Sequence, residues 1–571
     1  MRSQPELTRD PKDVASYDAA YFTQLYVTKL QHGFFEFKSH PFLVEPMQQP
    51  MLYRQGLAPA MQCVMKATQL GFSETGVICS LHGMIYSHYP TGVLYLFPTN
   101  DDMREFSKAR FGPLLSANPS ALGQYVKDTN TANLKKVGES AFLYMRGARL
   151  SPSDDGTAKD SSRLKSVSVD KIIYDEFENM DAEVATIAEG RLGNSDVAEQ
   201  YFLSNPVLPG GSIDVQFGLS DKRQWFRRCL RCGQTPPDGA TWEWYITTSH
   251  GWTSAEVQFP NNIEHDGTKG YIACVQCGKP VPITNPGCWV PKEPNNSNYM
   301  WGFQLSQLSS ARKDPYDILQ AYTNPPDGNK GDVVRLKLGL PYISSEDKLS
   351  VQQVMGNCGM GMQLNSHHGP CAMGVDIRRH KNVVIGCRNS KNSWRILRVA
   401  RVETMDEILS MAYRFNVRIA VVDIRPYEDE VRQFQRTAKF KTFLCEYSPN
   451  ASIGISWNDK TGIVKVNRTE IMDASHRMLV DSQIELPSSC PEVKQFAVEC
   501  ANTAKVLETP RGSGQGVFRY RKLGSNKPDD YRHALNYFIM AATSSHLPII
   551  GGRSQRRRSG VGKVNNEYSR V

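Results

Sequence analysis

A chain of 571 residues is long enough for two or three domains, and its 40% hydrophobic and 22% charged content excludes a disordered or fibrous protein. No apolar run approaches the roughly 18 residues of a transmembrane helix, and the opening Met1-Arg-Ser-Gln-Pro-Glu lacks the apolar core of a signal peptide, so neither membrane nor export is expected. The net charge of +9 leans toward an anionic partner, and 13 cysteines, an odd number, point to a reduced compartment with a metal site rather than to disulfides.

Residues 1–45 read as a helical lead-in whose stripe Tyr21, Phe22, Leu25 and Leu30 is expected to pack inward. Ala60–Met65 reads as a strand, followed by Lys66-Ala-Thr-Gln-Leu-Gly-Phe-Ser73. A phosphate-binding loop needs backbone N–H groups around the phosphates, a Lys to neutralise them and a Ser/Thr hydroxyl for Mg²⁺. The usual order is G-x-x-x-x-G-K-[ST]. Gly71 and Ser73 keep its end, Phe72 takes the Lys slot, and Lys66 stands where the first Gly would be. The long stem of Lys66 can still reach the phosphates. A Lys and a Gly beside an ordinary turn fit this stretch equally well.

Thr75–Tyr86 reads as the helix leaving the loop, and Gly92–Phe97 as a second strand. The helix-like residues 101–111 carry Arg104, Lys108 and Arg110, which fit a DNA contact, an arginine offered to a neighbouring subunit's ATP, or a solvated face. Ser140–Arg149 is a strand candidate, and 151–165 a polar loop. Val169–Tyr174 reads as a buried strand that delivers Asp175 and Glu176 at its end. There an Asp can hold the Mg²⁺ shell and the next Glu can orient the attacking water. The strand Gln200–Pro206 ends in Ser204 and Asn205, placed to sense the γ-phosphate and couple hydrolysis to movement.

Residues 225–290 read as a distinct unit. Cys229-Leu-Arg-Cys232-Gly and Cys274-Val-Gln-Cys277-Gly suit one tetrahedral structural Zn²⁺. The long intervening segment also allows two half-sites, or none. From Cys371 the texture turns β-rich. Apolar runs end in Asp376 and Asp423, and the order strand–strand–strand–helix–strand–helix is that of an RNase H-like nuclease, whose carboxylates hold two Mg²⁺ or Mn²⁺ ions. A late helix opens Pro528-Asp-Asp-Tyr-Arg-His533, where Asp529 and Asp530 either cap the helix or supply the third carboxylate. His533 is either a metal or phosphate ligand or a satisfied structural residue. Lys460, Lys465, Arg468, Arg511, Arg519, Arg521 and Lys522 form a basic rim suited to DNA phosphates, or an ordinary solvated edge. Gly512–Gly516 reads as a hairpin or flexible loop, and the basic tail 549–571 as disordered.

The displaced Lys of Lys66-x4-Gly71-Phe72-Ser73, the strand ending Asp175-Glu176, and the strand ending Ser204-Asn205-Pro206 together resemble the large subunit of a tailed-phage terminase, lambda-type branch. Trp225, the two Cys pairs, Gly287-Cys-Trp289, Trp301-Gly-Phe-Gln-Leu-Ser306 and Leu338-Gly-Leu-Pro-Tyr342 follow that family's order. The resemblance implies an α/β protein: a lead-in at 1–45, a P-loop ATPase domain at 46–224, the zinc unit at 225–290, a connector at 291–365, an RNase H-like nuclease at 366–548 and a tail at 549–571. It implies adenine contact by Gln48 or Gln49, and favours Asp530, with Asp529 as alternate, as the third nuclease ligand beside Asp376 and Asp423. It further implies ATP with Mg²⁺, double-stranded DNA, a portal protein, a small terminase subunit, a ring on the procapsid and work in the host cytoplasm. Competing readings are an ATP-dependent helicase or repair nuclease, a DNA-binding assembly protein with a vestigial ATP site, for which Phe72 argues, and a transposase-like recombinase using only the three Asp.

Overall fold

The computed structural model describes residues 10–27, 29–30, 33–149, 151–152, 159–160, 167–181, 183–325, 330–344, 346–378, 380–390, 393–448, 454–508, 517–524 and 527–547. The tail 549–571, the Gly512–Gly516 loop with Arg511, and most of the 151–165 loop lie outside the described residues. The chain divides at Lys348/Leu349 into two compact units, with Lys522–Lys527 grouped with the first.

The first unit is built on an eleven-stranded sheet. Helices α1 (Ala19–Tyr26) and α2 (Val44–Arg54) precede strand β1 (Met61–Lys66), helix α3 (Phe72–Ile85) and strand β2 (Gly92–Phe97). Strands β3 (Ala141–Gly147), β4 (Lys171–Asp175) and β5 (Glu199–Ser204) follow, then helix α4 (Ser212–Leu219). Strands β6 (Arg223–Arg228), β7 (Gly287–Val290) and β8 (Met300–Leu305) complete the set used here. The spatial order β6-β8-β1-β5-β4-β2-β3 is parallel throughout, and β7 pairs antiparallel with β6. Every residue of β2, β4, β5 and β8 is buried. That is why these runs are nearly continuous in apolar residues: a parallel sheet is covered on both faces.

On one face Phe42, Phe72, Tyr95, Phe97, Phe303 and Leu305 form the core. On the other are Cys63, Met65, Leu94, Tyr174 and Phe202. The lead-in stripe packs inward only in part: Phe22 is buried, but Leu25 points outward at 40% exposure, because the helix ends at Tyr26 and its apolar arc is narrower than the stripe.

Three boundaries differ from those expected. The helix after the loop begins at Phe72, not Thr75, because Gly71, at φ +88°, turns the chain directly into it. The border at 224/225 does not divide the fold. Strand β6 runs through it, and β7 and β8 return to the same sheet, so the Cys-bearing segment is an insertion between strands. The connector expected over 291–365 contains β8, which lies directly beside β1 in register Phe303↔Val64. Its Gly302 and Phe303 are buried like any interior strand, a pattern that a search for linkers does not see. The second unit accordingly begins at Leu349, whose side chain and that of Val354 sit in that unit's core.

The second unit carries an eight-stranded sheet. Strand β9 (Cys371–Ile377) lies at its centre, with β10 (Lys381–Ser390) and β11 (Ser393–Val402) antiparallel on one side. On the other side, after helix α5 (Met405–Arg414), come the parallel strands β12 (Val417–Asp423) and, after helix α6 (Glu428–Thr437), β13 (Lys441–Tyr447). Helix α7 (Asp530–Thr543) is buried along almost its whole length against this sheet. Gly374 of β9 makes that approach possible: a Cβ there would lie 2.1 Å from Phe538 N and 2.2 Å from Ala534 O. This is the RNase H-like arrangement, and the molecule as a whole is a P-loop ATPase fold plus that nuclease fold. Among the described residues no helix is long and apolar enough to cross a membrane.

Candidate active sites

In a parallel sheet ligands bind beyond the C-terminal strand ends. Three neighbouring strands, β1, β5 and β4, end there in Lys66, Ser204-Asn205 and Asp175-Glu176. Lys66 Nζ donates to Asn205 Oδ1 at 3.5 Å, and Asn205 Nδ2 donates to the Lys66 carbonyl at 2.9 Å. Ser73 Oγ donates to Asp175 Oδ1 at 3.3 Å, and the Tyr95 hydroxyl to Oδ2 at 2.9 Å. Burial, then the neighbouring Glu176, raises Asp175 to about 6, while Lys66 and the two hydroxyls pull it down. The next residue, Glu176, takes the left-handed conformation at φ +60°. That region is sparsely populated for a residue with a side chain and is held only by its surroundings.

Phe72, in the slot of the usual Lys, is wholly buried and packs on Phe42 with ring centroids 6.1 Å apart. It anchors the first turn of α3 in the core, so the positive charge comes from Lys66 at the other end of the loop. The loop is braced from behind: Ala67 N–H donates to Leu305 O at 2.8 Å and Thr68 N–H to Leu336 O at 3.0 Å. Gln48 and Gln49, the residues expected at adenine, already have protein partners. Both lie on α2 with their carboxamides engaged, Gln48 donating to Asp18 Oδ2 at 2.7 Å and the buried Gln49 to Pro59 O. Of the basic residues at 101–111, Arg104 pairs with Asp101 at 3.2 Å and Arg110 with Glu74 at 3.5 Å.

Two active-site partners were not read from the sequence. Tyr95 is an interior β2 residue with no signal beyond its apolar strand. Glu178 lies in the turn after Glu176, and its contacts come from residues 26 to 35 positions away.

The four cysteines meet as expected. Their Sγ atoms all lie within 4.8 Å of one another, with 3.8 Å between Cys229 and Cys277, 3.5 Å between Cys232 and Cys274 and 3.4 Å between Cys232 and Cys277. Tetrahedral Zn–S bonds of about 2.3 Å require Sγ atoms roughly 3.8 Å apart, so one ion fits and two half-sites do not. Each turn is tied by an N–H bond, Gly233 to Cys229 O at 2.8 Å and Gly278 to Cys274 O at 2.9 Å. Among the described residues this is the one tight group of metal-ligating side chains.

In the second unit, adjacent strands β9 and β12 end in Asp376 and Asp423. Asp376 is fully buried, and neither carboxylate oxygen has a hydrogen-bond partner. Burial first, then Asp423, lifts it well above the carboxylate range, and Asp530 and Asp529 add to the lift. Such an orphaned acid fits a divalent cation. The Arg378 guanidinium lies 3.9 Å from Asp376 and 3.8 Å from Asp423. The period of two along a strand puts residues 376 and 378 on one face, a signal the sequence carried unread. Asp529 stands at the N-cap of α7 but its side chain does not cap the helix. Instead it faces His533 Nε2 at 3.4 Å and Arg468 at 3.9 Å, and His533 Nδ1 meets the Tyr447 hydroxyl at 3.1 Å. His533 is thereby a satisfied residue, and Asp530 is the first residue of the helix proper.

Residues 30–284 match the family model described as phage terminase large subunit gpA, ATPase domain. The match spans the loop, both strand-end motifs and all four cysteines. No curated protein matches the sequence. Among solved structures, the large terminase of bacteriophage HK97 is 10% identical over 92% of this chain and 99% of its own, with a TM-score of 0.49. That of the thermophilic bacteriophage D6E is 10% identical over 86% and 97%, with a TM-score of 0.30. The large terminase nuclease of thermophilic phage G20c, solved with bound magnesium, is 12% identical over 34% and 96%, with a TM-score of 0.24.

Proposed function

We propose that the chain, whose residues 30–284 match the gpA ATPase-domain family model, is a terminase large subunit that hydrolyses ATP to drive double-stranded viral DNA into a procapsid and cuts that DNA with a two-metal nuclease. The observation that carries the ATPase half is the convergence of Lys66, Asp175-Glu176 and Ser204-Asn205 on three adjacent strand ends. Lys66 and the N–H groups around Gly71 hold the phosphates. Ser73 and Asp175, already joined, hold Mg²⁺, which neutralises phosphate charge when bound. Glu176 orients and deprotonates the attacking water. Asn205, bonded to Lys66, reports the state of the phosphate to β5. The complete burial of Phe72 supports reading it as a core residue beside a working loop.

In the second unit Asp376, Asp423 and Asp530 hold the two ions, with Asp529 as the alternate third ligand. Bound there, the ions would supply activation of water and charge stabilisation of the leaving oxygen. The four cysteines hold a structural Zn²⁺. The chain works in the infected cell's cytoplasm, as a ring on a portal protein, with a small subunit selecting the DNA.

The test is ATP turnover and plasmid cutting in Mn²⁺ or Mg²⁺ by the purified chain, beside Lys66→Ala and Asp423→Ala. Lys66→Ala is expected to abolish hydrolysis and keep cutting, and Asp423→Ala the reverse. Unchanged hydrolysis in the first, or persistent cutting in the second, removes that residue from its site.

A further inference from the structure

The turn that follows Glu176 is joined to the segment after β5 by one carboxylate that the mechanism above does not use. Glu178 Oε2 accepts the Ile213 N–H at 3.0 Å, and the N–H groups of Val207 and Leu208 also hold the carboxylate. Its own N–H donates to Ser204 Oγ at 3.1 Å. Ile213 lies in the first turn of α4, whose N-cap, Gly211, has no side chain to offer. Glu178 thus supplies the cap that this helix lacks. Gly211 has φ −67°, a conformation any residue adopts. A Cβ there would lie 2.1 Å from Glu178 Oε1, so any side chain at 211 displaces the carboxylate. Burial raises the Glu178 carboxyl to about 7, with Asp214 adding to the lift and the three N–H groups opposing it.

Resting on the ATPase reading, we propose that Glu178 is a positioning residue that latches the catalytic turn to the Val207–Ile213 segment and so holds Glu176 in its hydrolytic geometry. The chain of contacts is continuous. Lys66 bonds Asn205, and the adjacent Ser204 bonds the backbone of Glu178. The Glu178 carboxylate gathers the segment that begins α4. Glu176, two residues before Glu178, sits in a conformation that persists only while its neighbours impose it. Releasing the carboxylate frees the turn without removing any group that touches nucleotide.

The experiment measures steady-state ATP turnover, affinity for a non-hydrolysable ATP analogue, and melting temperature of the full chain. It compares wild type with Glu178→Ala, Glu178→Gln and Gly211→Ala. Turnover is expected to fall roughly tenfold or more in Glu178→Ala, as small misplacements of a catalytic group do. Analogue affinity is expected to stay within about twofold. Glu178→Gln keeps one acceptor and should fall between. Gly211→Ala, which evicts the carboxylate from the other side, should match Glu178→Ala and decides the matter if that variant does not fold. Turnover within about twofold of wild type in either folded variant overturns the latch. So does a loss of affinity and melting in step with the rate, which marks a merely structural contact. A wild type that turns over ATP while Glu178→Ala is unaffected sinks the latch alone. A wild type that turns over none sinks the ATPase reading and the latch together.

Discussion

A carboxylate taken out of water prefers to be neutral unless donors or cations compensate it. Three of the acids that burial raises in this chain illustrate that rule, and the compensation differs at each. Asp175, at about 6, is restrained by Lys66 and two hydroxyls. Asp376 has no hydrogen-bond partner and is raised by burial and by Asp423, with Arg378 opposing. Glu178, at about 7, is restrained by backbone N–H groups alone. Its folded value lies above the ordinary 4.5, so between those two pH values the folded chain binds more protons than the unfolded one. Its contribution to stability is therefore full below about 4.5 and is lost as pH rises through 7. Replacing it by Gln removes the titration. Relative to wild type, Glu178→Gln should gain on the order of 3 kcal/mol between pH 4.5 and pH 8, read as the difference in denaturant midpoints. A difference independent of pH would show that burial does not govern this carboxyl.

At the scale of elements, the Cys-bearing insertion and the α7 contact show two ways of making a sheet hold an accessory part. Strands β6 and β7 pair through Trp225↔Trp289 and carry the insertion at their outer ends. The small cluster around Cys229, Cys274 and Val281 has few other apolar residues. Around the cysteines themselves burial is slight, so the metal is expected to supply much of the order of the two Cys-bearing turns. Stripping zinc with a strong chelator should lower the melting of the first unit by about 5 °C or more, while analogue binding at the distant strand ends is retained. Unchanged melting after metal analysis confirms zinc removal would show that the cysteines are mere core residues. Helix α7 needs no ion to dock, because Gly374 admits its backbone against β9. That contact brings Asp529 and Asp530 to the strand ends where Asp376 and Asp423 stand.

For the molecule as a whole, each unit has its own core, Phe42, Phe72 and Phe303 in the first and Phe443, Phe496 and Phe538 in the second. A ligand stabilises only what it binds. Heating should give two transitions. An ATP analogue with Mg²⁺ should raise the one belonging to the first unit, and Mn²⁺ alone the one belonging to the second. With Asp423→Ala the second shift should vanish and the first remain. A single transition moved equally by either ligand would contradict separate cores.

The sequence by itself determined the strand ends and the donors on them. Lys66, Asp175, Ser204, Asp376 and Asp423 close apolar runs, and the paired Cys-x2-Cys spacing names a metal site without help from the fold. Local pattern suffices there because strand period, burial and ligand spacing are all short-range. What the tertiary structure decided is long-range. Strand β8, hidden in a supposed connector, belongs beside the phosphate loop. Gln48 and Gln49 are bonded to Asp18 and Pro59, and Phe72 is buried in the core. Arg378, Tyr95 and Glu178 acquire their roles from groups on other strands and turns. A hydrogen bond such as that from Ile213 to Glu178 spans 35 residues and leaves no periodicity in the chain. It exists only because packing two apolar faces of a sheet forces those strand ends together.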